Sequence, residues 1–329
     1  MNIKSLLLGS AAALAAVSGA QAADAIVAAA PEPMEYVKVC DAFGKGYFYI
    51  PGTETCLNIT GMVRWQLNWD KNSGWSSYGG HTNGYSTGNT FARLEFNAKN
   101  DSEVGTVYSF IRIQGAASGG FSSGYYAGID AGAVGFEVGN FDTGVTRFLG
   151  YGGFTDDGGS YGFMGNSYAA VQGKFGAISY IAGVDDFTNS PGYTAGLFGG
   201  VKGDFDGGFG AALLADYDIA AKSFGLRGYV SGKVDIFSFK VMGLYNQKNT
   251  SKYDAESGVK GFTLLLGGKA QVTDKLFAAV DYSYNFDPKT WNVVGDLGWN
   301  VANGFNVLVS GKYWSTKQSG AYLRFERDF

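Results

Sequence analysis

The sequence is poor in histidine, cysteine, proline and charged residues. Its 329 residues include one histidine, two cysteines and five prolines, and only 16% carry a charge. After the N-terminal segment, no apolar run approaches the ~20 residues of a transmembrane helix. No amphipathic helical period is present past residue 30. These absences argue against a helical membrane protein and against a soluble domain built from helices.

The scarcity of histidine also argues against catalysis. His81 falls in a predicted loop, and a histidine-dependent hydrolase would need a nucleophile beside it. No G-x-S-x-G run of the sequence stands in the strand-to-helix setting of a nucleophile elbow, and the acidic pairs lack the spacing of an EF-hand. We therefore expect no enzyme activity and no bound metal or cofactor.

Positive charge is not concentrated anywhere in the chain. The formal net charge is −4, and the lysines and arginines are scattered, without a cluster that could hold phosphates. A nucleic-acid-binding domain would carry a basic patch or stripe. We therefore expect no nucleic-acid partner.

The N-terminus has the three parts of a secretory signal. Lys4 supplies the charged region, the apolar stretch 6–17 follows, and residues 20–22 provide a small-x-small cleavage site. We expect residues 1–22 to be removed, so that the mature chain begins at Ala23. Export implies an oxidising compartment.

Both cysteines lie in the segment 23–56 that follows the signal. An even number of cysteines in an exported chain favours a disulfide. Here it would join Cys40 to Cys56 and stabilise the fold by ~3 kcal/mol in the chain-entropy model. The alternative is a pair of reduced, buried thiols. We interpret residues 23–56 as a lead-in that ends in a compact stapled segment.

Glycine and aromatic residues are abundant, with 52 glycines, 25 phenylalanines, 21 tyrosines and 6 tryptophans. Glycine disfavours helices and aromatic residues favour strands, so the composition predicts an all-β chain with many tight turns. From Leu57 to Trp69 apolar and polar residues alternate, as in a strand with one apolar and one polar face. At 13 residues, this strand exceeds the usual globular length and suits a tilted strand that crosses a bilayer.

The same alternation recurs to the C-terminus and predicts a 16-stranded antiparallel barrel over residues 57–329. Connections are short at one end and longer and polar at the other, which is typical of periplasmic turns and extracellular loops. Lipid offers no hydrogen bonds to a sheet edge, so the sheet must close. The predicted strands are 57–69, 89–99, 103–114, 126–132, 135–141, 167–172, 177–184, 193–203, 209–217, 222–233, 236–247, 260–272, 276–286, 290–301, 305–314 and 320–329.

Two kinds of side chain indicate the surroundings of this barrel. The polar faces carry charged residues that would be costly in a dry core but fit the aqueous lumen of a sixteen-stranded barrel. The outward aromatic residues concentrate toward strand ends, as in interfacial girdles, and the alternative is the core of a soluble secreted β-protein. These aromatic residues are Trp65, Trp69, Tyr245, Tyr284, Trp291, Trp299 and Tyr313.

One connection, Asn140–Asn166, is long and contains eight glycines and three aspartates without a hydrophobic period. A loop of this length inside a regular β meander is usually functional or disordered. It follows the fifth predicted strand and is therefore the third extracellular loop. We expect it to fold into the barrel and to narrow the pore.

Charged residues of opposite sign are predicted to face each other at that point. Opposite charges across a water-filled neck would create a transverse field that selects solutes. The alternative is that the arginines pair with Glu95 and Glu326 and that the aspartates face outside. The arginines lie on neighbouring predicted strands, because the last strand closes against the first. They are Arg324, Arg64, Arg93 and Arg112. The loop aspartates are Asp142, Asp156 and Asp157.

Both ends of the chain resemble the alphaproteobacterial porin family. The run CDAFGKGYFYIPGTETCL, from Cys40 to Leu57, is similar to the family's N-terminal signature, and Tyr322–Phe329 resembles its closing strand. The resemblance covers the whole chain and is most specific at the two ends. It implies a homotrimeric, 16-stranded, water-filled channel with the third loop inside. The final Phe329 resembles the terminal aromatic residue that the outer-membrane assembly machinery reads.

The resemblance implies a general diffusion porin in the outer membrane of a Gram-negative cell, surrounded by lipid and lipopolysaccharide. Small hydrophilic solutes and ions would pass by passive diffusion. A substrate-selective channel on the same barrel is one alternative, which saturable conductance would favour. An outer-membrane hydrolase that depends on His81 is the other.

Overall fold

The protein is built from long antiparallel strands, each hydrogen-bonded to the next along the chain. Sixteen strands form a closed barrel, in which the last strand, β18, pairs with the first long strand, β2, and Arg324 lies beside Gln66. The predicted strand number and closure are confirmed. The computed structural model describes residues 37–72, 83–117, 119–141, 144–150, 152–156, 167–185, 195–219, 221–248 and 260–329.

Two further short strands, β1 and β3, pair with β2 and were not predicted. They have three and four residues, too few for an alternating pattern to show. The strands are β1 (Tyr47–Tyr49), β2 (Cys56–Lys71), β3 (Asn83–Ser86), β4 (Phe91–Ser102), β5 (Gly105–Ala116), β6 (Phe121–Asp130), β7 (Gly135–Asn140), β8 (Tyr168–Phe175), β9 (Ile178–Asp185), β10 (Gly196–Phe205), β11 (Phe209–Asp218), β12 (Ser223–Val234), β13 (Phe237–Asn246), β14 (Gly261–Gln271), β15 (Leu276–Asn285), β16 (Thr290–Ala302), β17 (Phe305–Trp314) and β18 (Ser319–Asp328).

The residues from Val39 to Phe329 form one compact unit. It contains one 3-10 helix, Asp41–Phe43, and one short α-helix, α1 (Gly144–Leu149), among the residues that the structure describes. The expected signal, residues 1–22, lies outside the described part of the chain.

The fourth barrel strand, β6, begins at Phe121, five residues before the predicted start at Tyr126. The turn before it is tight, since the Ala116 N–H donates to the Gly120 carbonyl at 2.8 Å. Gly119 adopts a φ of 87°, which glycine tolerates without strain. Residues 121–125, which the prediction left in a loop, therefore belong to the strand. Four of the connections at the extracellular end of the barrel contain only four residues each, although longer connections were expected there.

Along the barrel strands, apolar side chains are exposed and polar side chains are buried. Leu213, Val230 and Val280 on the outer face are between 50% and 56% exposed, whereas Gln66 and Asp281 on the inner face are 1% exposed. This distribution reverses that of a soluble protein and matches a barrel with lipid outside and a polar interior. The alternative of a soluble β-protein core is therefore wrong. Within the described residues, the helices are too short or too polar to span a membrane.

A disulfide joins Cys40 to Cys56, with a Cα–Cα distance of 6.0 Å. Both cysteines are almost completely buried. Cys56 is the first residue of β2 and lies beside Tyr49 of β1. The bond therefore holds the lead-in segment against the first barrel strand, and the alternative of two reduced thiols is excluded.

We expect the Cys40→Ala/Cys56→Ala variant to unfold at a temperature about 6–12 °C below that of the wild type. The disulfide closes a loop with a sequence separation of 16 residues, and its removal costs ~3 kcal/mol of stability. Each kcal/mol shifts the midpoint of unfolding by roughly 2–4 °C. Heat-modifiable gel mobility measures this midpoint. Wild-type protein heated with a thiol reductant should behave like the variant, and an unchanged midpoint in both would contradict the prediction.

Candidate pore constriction

The third extracellular loop lies inside the barrel. Helix α1 packs against β9, β10 and β11. Its Leu149 is 3% exposed and belongs to a buried apolar cluster with Ile181, Phe198 and Leu214 of those strands. Apolar side chains on a lumenal face would otherwise meet water, so burying them holds the loop inward. The predicted inward fold of this loop is confirmed.

Helix α1 was not predicted, because the sequence shows no helical period past residue 30. Its six residues are too few to show a helical period, and a helix this short depends on tertiary packing rather than on propensity. The Gly150 N–H donates to the Thr146 carbonyl at 2.8 Å. Gly150 has a φ of 75°, the left-handed conformation that commonly ends helices.

An ion pair fixes the helix to the strand that precedes the loop. Arg147 of α1 pairs with Glu137 of β7, and the Arg147 Cζ atom lies 3.8 Å from the ring centre of Tyr126. Glu137 is 2% exposed and also accepts hydrogen bonds from the hydroxyls of Tyr108, at 2.9 Å, and Tyr168, at 2.6 Å. Because the buried carboxylate is satisfied by charge and by hydroxyl donors, it is a firm anchor for the helix.

The Asp281 carboxylate of β15 holds the loop after the helix. It accepts hydrogen bonds from the backbone N–H of Phe154 at 2.9 Å, from the N–H of Thr155 at 2.7 Å and from the Thr155 hydroxyl at 2.5 Å. Asp281 is 1% exposed. Hydrogen bonds to an ionised acceptor are roughly twice as strong as neutral ones, so this single side chain fixes the loop backbone against the wall.

The next loop residue, Asp156, contacts the closing strand. Its carboxylate oxygens lie 2.7 and 2.5 Å from the two terminal nitrogens of Arg324, and the Tyr322 hydroxyl donates to it at 2.8 Å. Its backbone N–H donates to Asp296 of β16 at 2.7 Å. The Arg324 Nε donates to Gln66 at 2.7 Å. The fork-like pairing with Arg324 fixes both position and orientation of the loop.

The environment of Asp156 changes its acidity. Burial alone would raise its pKa, but the Arg324 guanidinium, assisted by Tyr322 and Arg64, holds the pKa below its ordinary value of 3.8. A lowered pKa in the docked loop means that docking is favoured above the ordinary value and is lost as the pH falls through the lowered one.

We therefore expect the contribution of Asp156 to conductance to be constant between about pH 7 and pH 4 and to disappear only on further acidification. Single-channel recordings of the wild type and of Asp156→Asn at stepwise lower pH check this. The difference between the two proteins should persist down to about pH 4. A difference that vanishes near neutral pH would contradict the lowered pKa.

The four predicted arginines lie on the neighbouring strands β18, β2, β4 and β5. Three of them pair with the glutamates that the alternative named. Arg64 Nε lies 2.7 Å from Glu326, and Arg112 Nε lies 2.6 Å from Glu95. Arg93 Nη1 is 3.8 Å from the same Glu95. The side chains of these arginines and glutamates are 14% to 24% exposed, so the paired charges remain in contact with the lumen.

Aromatic rings space the guanidinium groups along this wall. Phe91 lies between Arg64 and Arg93, whose Cζ atoms are 4.7 and 4.9 Å from its ring centre. The Arg112 Cζ atom lies 4.2 Å from the ring centre of Phe141. Stacking of this kind favours a fixed position for the cation. We call the set Arg64, Arg93, Arg112 and Arg324 the arginine wall.

The structure brings together only part of the predicted charge pairing. Asp156 contacts Arg324 directly, whereas the prediction placed the loop aspartates opposite the arginines, on the other side of a water-filled neck. Asp142 and Asp157 lie outside the described residues, as does His81.

Four charged residues that hold the loop were missed in the sequence, namely Glu137, Arg147, Asp281 and Asp296. Asp281 and Asp296 occupy inward positions of strands β15 and β16, where their neighbours in sequence point to lipid. Carboxylates at such positions need donors. This need, combined with a glycine-rich loop expected inside the barrel, is the signal that could have identified them.

Gly153 is expected to be intolerant of substitution. A Cβ at this position would overlap the Asp281 carboxylate, so Gly153→Ala should displace that carboxylate from Phe154 and Thr155 and loosen the loop. We expect a higher and noisier single-channel conductance. Gly311→Ala of β17 is a matched control, because a Cβ there meets no atom within 4 Å. Equal conductance of the two variants would contradict the close contact.

A closed barrel with a lipid-facing outer surface, a polar interior and a loop fixed inside it defines an outer-membrane channel. The porin subfamily model (Porin_2) matches residues 24–326. The chain is similar to porin Omp2a of Brucella melitensis, with 34% identity over 379 residues and full coverage of both chains. It is 35% identical to porin Omp2a of Brucella ovis over 95% of this chain and 98% of that one. The chain therefore belongs to the porin subfamily.

Solved structures show the same fold at lower identity. A triple mutant of Rhodopseudomonas blastica porin superimposes with a TM-score of 0.63 and 14% identity, covering 83% of this chain and 100% of that chain. A second Rh. blastica porin mutant gives a TM-score of 0.62 at 14% identity, with the same coverage. The protein is thus a general diffusion porin of the Gram-negative outer membrane.

Proposed function

We propose that the docked loop and the arginine wall form the constriction that decides which solutes pass this porin. The observation that carries the proposal is the attachment of loop residues 154–156 to Asp281 and Arg324. Both anchors lie near the middle of their strands, so the loop narrows the lumen at mid-height. A channel is narrowest, and its charges act most strongly on solutes, where such a segment occupies the lumen.

The charges at this level are nearly balanced. Four arginines of the wall face three carboxylates that pair with them, those of Glu95, Asp156 and Glu326. Paired charges leave a local transverse field with little net charge. We propose that Asp142 and Asp157 add to the acidic side. The constriction would then pass small hydrophilic solutes of either sign and limit them mainly by size.

Planar-bilayer recording in a salt gradient tests this function. The purified protein should form open channels with a conductance that rises linearly with salt and a small reversal potential. Reversal potentials close to the limit for a single ion type would contradict the balanced constriction. Conductance that saturates with one solute would favour the alternative, a substrate-selective channel.

We propose that the partners are those implied by the family resemblance. These are two further copies of the chain in a homotrimer, outer-membrane lipid and lipopolysaccharide. The assembly machinery would read the C-terminal strand, where Phe329 is 60% exposed and pairs with Gly61 through two backbone hydrogen bonds of 2.8 and 3.0 Å. Residues 1–22 would be removed on export. We propose no catalytic role, and a hydrolase would have to depend on His81.

A further inference from the structure

Two lysines that are distant in sequence lie in one cross-strand row on the inner wall, with one strand between them. Ser179 of β9 is paired with Lys174 of β8 on one side and with Lys202 of β10 on the other. Directly paired residues point to the same face of a sheet, with Cβ atoms about 4.5–5.5 Å apart. The row therefore presents two ammonium groups on either side of a hydroxyl.

This row faces the lumen below the helix of the third loop. The neighbouring residues Phe175 and Val201 are on the outer face, 63% and 50% exposed, so the alternate positions point inward. The Lys202 Nζ atom lies 5.6 Å from the ring centre of Phe148 in α1. Lys174 and Ser179 flank the tight turn between β8 and β9, which places the row near the short-turn, periplasmic mouth.

An open recess of about 390 Å³ lies between this row, the helix and strands β6 and β7. Its charged lining consists of Arg147, Lys174 and Lys202 against Asp130 and Glu137. Glu137 forms an ion pair with Arg147, and Asp130 accepts a hydrogen bond from the Gly132 N–H at 2.8 Å. Neither lysine forms an ion pair with any residue that the structure describes. The recess thus carries excess positive charge.

A second recess on the opposite wall has similar size and a different charge. Its volume is about 370 Å³, and its charged lining is balanced. Arg64, Arg324 and Lys275 line it together with Asp156, Asp274 and Glu326. Two of these cations are already paired with carboxylates. The two recesses therefore differ in charge, and the excess positive charge belongs to the first.

We propose that Lys174, Ser179 and Lys202 form a binding site for small phosphate-bearing solutes at the periplasmic side of the constriction. A phosphate group has enough acceptor oxygens to take hydrogen bonds from both ammonium groups and from the hydroxyl at once, and charge-assisted bonds of this kind are strong. The recess can hold inorganic phosphate or a small phosphate monoester. This inference rests on the proposed channel function and adds a preferred solute class to it.

The test uses the full-length porin in planar bilayers with inorganic phosphate as the probe. Chloride current is recorded while phosphate is added to one side and then to the other. We expect saturable inhibition, with a lower half-inhibiting concentration from the short-turn side than from the loop side. In Lys174→Gln/Lys202→Gln this concentration should rise at least about tenfold.

Lys275→Gln is the matched control, because it removes one lysine from the balanced recess. It should keep the wild-type response to phosphate. Equal inhibition of the wild type and of the double variant would overturn the site, and so would inhibition without saturation. A double variant with wild-type heat-modifiable mobility excludes misfolding as the cause. Failure to conduct chloride at all would instead refute the proposed function, so the two failures are distinguishable.

Discussion

Asp281→Ala is expected to raise the single-channel conductance and the solute size limit more than any other single substitution in the barrel. The Asp281 carboxylate accepts from two backbone N–H groups and one hydroxyl of the loop. Each hydrogen bond to a charged acceptor contributes about 1.5–3 kcal/mol, so their joint loss should release residues 154–156 from β15. Liposome swelling with sugars of increasing size measures the limit directly.

Two controls separate loop release from general damage. Asp281→Asn keeps one acceptor oxygen and should give an intermediate limit. Asp206→Ala removes a carboxylate from an exposed turn between β10 and β11 and should leave the limit unchanged. If Asp281→Ala swells liposomes with the same sugars as the wild type, the loop is not held in the lumen by this residue.

Asp156→Asn is expected to shift the channel toward anions and to increase its conductance by a smaller amount. The substitution removes the charge that pairs with Arg324, whose side chain is 4% exposed. Breaking a buried pair leaves an uncompensated charge. Because the Asp156 side chain itself is 36% exposed, water partly compensates, and the loss is at the lower end of about 1.5–3 kcal/mol.

The reversal potential in a salt gradient measures this shift. Asp206→Asn is the matched control, since it removes the same charge from an exposed turn outside the loop and should not change the selectivity. The double variant Asp156→Asn/Arg324→Gln removes both charges and should return the selectivity toward that of the wild type. A reversal potential unaffected by Asp156→Asn would show that the pair with Arg324 does not face the solute path.

The barrel could be predicted from the sequence because the alternation of apolar and polar residues is a local pattern. Alternation along each strand identifies which side chains face lipid, and closure of the last strand on the first places Arg324 beside the strand of Arg64. The loop could be located by its length and glycine content. Its route could not be predicted, because it depends on contacts between residues far apart in sequence, such as Thr155 with Asp281.

Two features show where the pattern fails. Helix α1 is too short to have a period, and it exists because inward-facing Phe198 and Leu214 accept Leu149. Such apolar residues on a lumenal face look like noise in the sequence. The row of Lys174, Ser179 and Lys202 depends on strand register, which alternation does not fix between neighbouring strands. In the sequence, these lysines are simply scattered.

The most direct test of the account is the single-channel conductance of a porin whose third loop is shortened. Residues 142–166 are replaced by a short Gly-Ser linker between β7 and β8, and heat-modifiable mobility verifies that the barrel still closes. If the loop narrows the lumen, the shortened protein must conduct more than the wild type under the same salt. A closed barrel with unchanged or lower conductance would contradict the claim that this loop forms the constriction.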